Sequence, residues 1–156
     1  MIDNTLIRVH NLLLKERKTI AVAESCTGGL VSNLLTQLKD SSKYFILGVV
    51  VYSNLAKEKI LKVPRSVITK EGPVAKKTTE LLALNIRKIA SSDIGIGITG
   101  VAGPKGQGKG RPVGTVFIAI DTKDKSFCQR FLFKGKRKTI REKASFTALK
   151  LIEKIL

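Results

Sequence analysis

The chain has no tryptophan, one histidine, two cysteines and four prolines in 156 residues. Each shortage excludes something. The one histidine, His10, precedes the first strand-like run and reads as a surface residue, so a serine–histidine–acid triad fails on inventory. One histidine and two separated cysteines, Cys26 and Cys128, cannot supply the usual zinc ligand sets, and no metal is expected. The same two cysteines make no disulfide framework, so a reduced cytoplasm is the expected compartment. Aromatics are 5% of the chain, which leaves the core to Ile, Leu, Val and Ala and provides no aromatic strand on which bases could stack. No apolar run approaches the ~20 residues of a membrane span. The N-terminus carries a helical pattern with an acid where a secretory signal needs a basic stretch and an apolar block.

Acids are scarce as well: 12 against 29 Lys and Arg, a net charge of +17. That balance invites a nucleic-acid reading. Yet the lysines are spread along the chain, and only Lys134 to Lys143 is dense. Solvated lysine-rich faces are the better account, and a basic surface also attracts small anions.

At 43% hydrophobic, the chain has enough apolar material for one domain, residues 1–156. Ile2 to Arg17 patterns as an amphipathic helix striped by Ile2, Leu6, Val9 and Leu13. Thr19 to Ala23 reads as a strand and Leu30 to Lys39 as a helix. Tyr44 to Tyr52 is a continuous apolar run, which predicts a buried central strand. Asn54 to Lys62 predicts a short helix ended before Pro64, and Pro73 to Ser91 a longer one. Ile94 to Thr99 is a short strand. Gly114 to Ile120 and Ser126 to Phe133 pattern as a hairpin, and a helix runs from about Lys138. The alternation predicts an α/β fold with a mixed sheet and helices on both faces.

Two glycine motifs fail in context. Gly95-Ile-Gly-Ile-Thr-Gly100 matches a dinucleotide fingerprint, but its first glycines fall inside a strand, where small residues serve close packing. Gly103-Pro-Lys-Gly-Gln-Gly-Lys109 nearly matches a phosphate loop, but Gly110 stands where the magnesium-binding Ser or Thr belongs. This segment is expected to be a mobile loop, either solvated throughout or bringing Lys105, Lys109 or Arg111 near a phosphate.

The informative motif is Ala23-Glu-Ser-Cys-Thr-Gly-Gly29, between the first strand and the second helix. Such a turn aims backbone N–H groups at a bound anion or a developing oxyanion. With no histidine to help, a Ser25 nucleophile needs another base. A lysine whose pKa is depressed by burial can serve. The candidate is Lys57, just past the strand ending Val51-Tyr52-Ser53-Asn54. Ser25, Tyr52, Lys57 and Thr99 all follow strand ends, so they are placed to converge. Cys26 reads as small apolar packing. Glu24 is left to orient Lys57 or Tyr52, or to cap local N–H groups.

Four motifs in this order carry a resemblance: Ala23 to Gly29; Tyr52-Ser-Asn with Lys57; Gly97-Ile-Thr-Gly-Val-Ala-Gly-Pro104; and Pro112-Val-Gly-Thr115. Together they resemble the CinA C-terminal domain family, the nicotinamide-nucleotide amidohydrolases, over nearly the whole chain and in its stand-alone form. The resemblance implies a single-domain three-layer αβα sandwich, no metal or cofactor, and a homodimer. It implies hydrolysis of nicotinamide mononucleotide (NMN) to nicotinate mononucleotide and ammonia, with Ser25 as nucleophile, Lys57 as its partner, Tyr52 as a third catalytic residue and Thr99 as a substrate contact in the same pocket. Arg141 matches the phosphate-binding arginine of the last helix, with Arg137 the competing choice. Glu24, Thr27, Gly28, Gly29 and Gly100 fall in the matched motifs as substrate-side groups, the N–H groups of Thr27, Gly28 and Gly29 as oxyanion donors. Leu55, Ala75 and Lys136 depart from the pattern, Leu55 close to the base. A non-catalytic basic module linked to DNA uptake is the competing reading.

Overall fold

The computed structural model describes residues 4–108 and 110–156. Ile2, at the start of the expected first helix, and Lys109 lie outside the described residues. The elements run α1 (Asn4–Lys15), β1 (Ile20–Glu24), α2 (Leu30–Leu35), β2 (Phe45–Val50), α3 (Asn54–Lys59), α4 (Arg65–Glu71), α5 (Lys76–Ala90), β3 (Ile94–Gly100), β4 (Thr115–Thr122), β5 (Ser126–Leu132) and α6 (Arg137–Ile155). The sheet order is β2-β1-β3-β4-β5. β1 pairs parallel with both β2 and β3, whereas β3–β4 and β4–β5 are antiparallel. The expected hairpin is β4–β5.

Alternate residues of β1 divide the core in two, as strand geometry requires. Ile20 and Val22 join β3 and β4 residues under α1, α2 and α6, among them Leu6, Val9, Leu13, Ile140, Ala144 and Ala148. Ala21 and Ala23 face the other layer with Leu61, Val63, Ile68, Leu82 and Ile86. This is an α/β single-domain three-layer αβα fold with a mixed sheet. Gly95 and Gly97 let α5 ride directly on β3: a Cβ at Gly95 would fall on the Ala83 carbonyl, and one at Gly97 on that of Thr79. The close-packing reading of that motif therefore holds.

Four expectations change, the first being that the helix expected from Leu30 to Lys39 ends at Leu35. Tyr44 to Tyr52 does not form a buried central strand. β2 is an edge strand bonded to β1 alone, with alternate residues Ile46, Gly48 and Val50 exposed. The continuous apolar run is compatible with burial on both faces, but the short α2 leaves one face uncovered. Helix α5 starts three residues later than Pro73, because Ala75 is extended (φ −153°, ψ 156°) and Pro73 and Val74 belong to a turn. His10 is half-buried rather than a surface residue, with Nδ1 3.1 Å from the Tyr44 hydroxyl. That hydroxyl donates to the Leu35 carbonyl at 2.7 Å. Its one hydrogen is thereby used, so His10 Nδ1 is the donor.

Candidate active site

The C-terminal ends of the parallel strands meet at one pocket of about 150 Å³. Ser25 and Cys26 follow β1, Tyr52 and Asn54 follow β2, and Gly100 ends β3. Pro73 and Val74 form one wall; Ala102, Gln107 and Arg137 close the other side. Asn54, Pro73, Val74 and Gln107 were not singled out in the sequence, although Asn54 stands in the Tyr52-Ser-Asn motif.

Lys57 enters from α3, whose start is set by Ser53, its hydroxyl accepting from the Ala56 N–H at 3.0 Å. The lysine is only 2% exposed. Its Nζ lies 2.9 Å from the Val51 carbonyl, 3.2 Å from that of Tyr52 and 3.3 Å from Ser25 Oγ. No carboxylate pairs with it among the described residues. Burial in this uncompensated setting holds its amine below the usual lysine range. A neutral amine has two N–H donors for the two carbonyls and one lone pair for the Ser25 hydroxyl, so the arrangement suits a base. Leu55 is 62% exposed while Lys57, two residues on, points inward; the departure at 55 leaves the lysine's contacts intact.

Cys26 shares the pocket, but burial pushes its thiol up to about 12. At neutral pH it is a thiol, not a thiolate, and is no rival to Ser25.

Of the roles open to Glu24, the structure shows the cap of local N–H groups and not a substrate-side contact. The residue is fully buried and its carboxylate accepts from the N–H groups of Gly29 (3.0 Å), Val31 (3.2 Å) and Ser32 (2.8 Å) and from Ser32 Oγ (2.7 Å). One acid thus caps α2 and fixes the turn after Ser25. This also revises the oxyanion expectation. The Gly29 N–H is spent on Glu24, and that of Gly28 on the Ser25 carbonyl at 3.1 Å. Of the three expected donors, only the Thr27 N–H has no hydrogen-bond acceptor among the described residues.

The two arginines of α6 separate cleanly. Arg141 Nε donates to the Cys26 carbonyl at 3.0 Å and its Nη2 to that of Thr27 at 2.9 Å, which clamps the turn from outside the pocket lining. Arg137 lines the pocket, donating to the Gly103 carbonyl at 2.7 Å and the Tyr52 hydroxyl at 3.0 Å. Of the two arginines, only Arg137 lines the pocket. Tyr52 meets Lys57 through its carbonyl, while the residue is 60% exposed and lines the pocket. Thr99 lies behind the pocket, fully buried, 2.8 Å from Thr79 Oγ1. Thr79 spends its hydrogen on the Ala75 carbonyl, so Thr99 is the donor. Lys105 is exposed and outside the lining, and Arg111 donates to the Val74 and Glu71 carbonyls. Neither is the expected phosphate contact.

The family model for the CinA C-terminal domain matches residues 3–156. The chain belongs to the CinA C-terminal domain family. It is 41% identical over 156 residues to a CinA-like protein of Syntrophus aciditrophicus, covering 99% of this chain and 37% of that protein. It is also 41% identical over 148 residues to a CinA-like protein of Geotalea uraniireducens, covering 95% and 35%. The chain thus spans little more than a third of the length of these curated relatives. A crystal structure of a CinA-superfamily protein from Escherichia coli superposes with a TM-score of 0.95 at 30% identity, covering 100% of this chain and 91% of that one. One from Klebsiella pneumoniae, a competence damage-inducible protein, gives 0.93 at 29%, covering 96% and 93%. The CinA-like fold therefore extends over the whole chain. No helix among the described residues is long and apolar enough to cross a membrane.

Proposed function

We propose that this CinA-family chain is an amidohydrolase that converts NMN and water to nicotinate mononucleotide and ammonia. The carrying observation is the buried, uncompensated Lys57 amine in contact with Ser25 Oγ. Lys57 takes the Ser25 proton as Oγ attacks the carboxamide carbon. The lysine then returns that proton to the departing nitrogen, the C–N bond breaks, and an ester to Ser25 remains. Water, deprotonated by the same amine, cleaves the ester and releases the nicotinate. Of the three N–H groups expected to serve the oxyanion, that of Thr27 remains, and such a donor is worth roughly 3–4 kcal/mol. Arg137 at the mouth holds the phosphate and so positions the distant carboxamide. Tyr52, tied to Arg137, forms the mouth rather than the reacting centre.

The test is ammonia release from NMN by the purified protein, with Ser25→Ala beside it. Turnover by the wild type is expected, with kcat lower by on the order of 10⁴-fold or more in the variant. Undiminished turnover in Ser25→Ala sinks the mechanism. Salt-dependent DNA binding without NMN turnover would favour the basic module instead.

A further inference from the structure

The loop between β3 and β4 sends one polar side chain to the pocket. Gly106 and Gly108 flank Gln107, so over these three residues only the glutamine has a side chain to offer. Its placement is built into the loop. The Gln107 N–H donates to the Arg111 carbonyl at 3.0 Å, which closes a turn. Gly106 packs against the returning arm of that turn, where a Cβ would stand 3.2 Å from the Arg111 carbonyl. The Arg111 guanidinium donates in its turn to the carbonyls of Val74 and Glu71. The turn that carries Gln107 is thereby moored to the Pro73–Val74 wall, while Arg137 holds the start of the loop at Gly103.

The Gln107 side chain is exposed and bonds to nothing among the described residues. Among those residues the lining holds one other amide, Asn54. Asn54 stands three residues ahead of Lys57 on α3, and so on the side of the reacting centre. Gln107 shares its side of the pocket with Ala102, which is apolar, and with Arg137, the cation at the mouth. An amide brings two N–H donors and a carbonyl acceptor, so it suits a ligand group that both donates and accepts. A phosphate only accepts once ionised. Beyond its carboxamide, a pyridinium ring offers no hydrogen-bonding group. A sugar hydroxyl does both.

We propose that Gln107 recognises the ribose hydroxyls of the nucleotide substrate and so sets specificity without taking part in the chemistry. This inference rests on the NMN reading of the site. The covalent order of that substrate is carboxamide, ring, ribose, phosphate. With the carboxamide at Ser25 and the phosphate at Arg137, the sugar falls between them, beside Gln107. The amide accepts from one hydroxyl and donates to the other. The hydrogen bonds of Lys57 go to Ser25, Val51 and Tyr52 and none to this loop, so the glutamine can be changed without moving the reacting pair. A hydrogen bond between neutral groups at an exposed position is worth a modest factor in affinity.

The test compares NMN with its 2′,3′-dideoxyribose analogue, by calorimetric dissociation constants on the Ser25→Ala protein, where neither ligand is consumed. That protein is expected to bind NMN about 3- to 10-fold more tightly than the analogue. Adding Gln107→Leu, which keeps the bulk and removes the polar atoms, should bring the two constants within about twofold by weakening NMN alone. With Ser25 in place, Gln107→Leu should raise KM for NMN by a similar factor and leave kcat and the melting temperature unchanged. Equal losses on both ligands overturn the proposal, because neither a phosphate contact nor a displaced loop distinguishes them. So does an undiminished preference for NMN in the double variant. Discrimination that depends on Gln107, beside a wild type that releases no ammonia, upholds this role and sinks the hydrolytic reading alone. A Ser25→Ala protein that binds neither ligand overturns both.

Discussion

Two glycine-bearing turns border the pocket, and they are held in opposite ways. The turn after Ser25 is gripped at both ends of its dipole: Glu24 collects its N–H groups from inside, and Arg141 collects the Cys26 and Thr27 carbonyls from outside. The turn after β3 is held by scattered ties: Arg137 takes the Gly103 carbonyl, Arg130 that of Gly110, the Gln107 N–H donates to the Arg111 carbonyl at 3.0 Å, and the Arg111 guanidinium reaches Val74 and Glu71. At its middle, Gly108 has nothing within 4 Å of where a Cβ would stand. The first turn carries the proposed nucleophile, where displacement of an ångström is costly. The second carries Gln107 to the pocket, where adjustment to a ligand costs little.

Lys57→Met breaks the rigid side most deeply, because it removes the base that the fixed turn addresses. NMN turnover should fall by about 10²–10⁴-fold with NMN binding kept. Lys57→Arg should not rescue it, since a guanidinium does not deprotonate. In the wild type, kcat/KM should rise with pH along a limb centred below the usual lysine value of 10.5, because burial favours the neutral amine that acts. Stability shifts the same way. Between the folded and unfolded pKa values the unfolded chain binds the extra proton, so raising pH through that window stabilises the fold. A pH profile without this limb would refute the base assignment.

Glu24→Gln tests the inner grip. An amide keeps one acceptor oxygen and turns N–H donors toward backbone N–H groups, so the variant should lose about 2–3 kcal/mol by denaturant titration. The α6 arginines come next. Arg137→Ala should raise KM for NMN about 10- to 100-fold at an unchanged melting temperature. Arg141→Ala should lower both kcat and the melting temperature; equal behaviour of the two would erase the distinction. Smallest is a pair of glycines of matched conformation, Gly28 at φ +60° and Gly108 at φ +62°. Gly108→Ala should cost about 1 kcal/mol, the left-handed penalty alone. Gly28→Ala should cost more, because its Cβ would stand 2.8 Å from Arg141 Nη2.

The layered fold, the Ser25 turn and the Lys57 partnership were legible because each is local pattern: strand and helix periods, a turn rich in nucleophiles, and residues just past strand ends. What escaped was allocation. Glu24 stood in the motif, but spacing does not say whether a carboxylate faces a ligand or the next helix. Arg137 and Arg141 are four residues apart on one face of α6, so their neighbours alone separate the one that clamps a turn from the one that faces the pocket. The segment Pro73 to Ala75 patterns as a helix start, yet the Val74 carbonyl is taken by Arg111, and Ala75 is the extended cap whose carbonyl accepts the first helical N–H, that of Thr79. Hydrophobicity along the Tyr44 to Tyr52 run reports burial without naming what does the burying.

The bare backbone of β3 has a consequence for evolving a new substrate range. Methyl groups at Gly95 and Gly97 would lift α5, and with it Thr79, Thr99's partner, and the Pro73–Val74 wall just ahead of that helix. The width of the pocket is thus written in two positions that never touch its contents. A library confined to lining residues would explore different decorations of one gap, whereas the gap itself changes from behind the sheet.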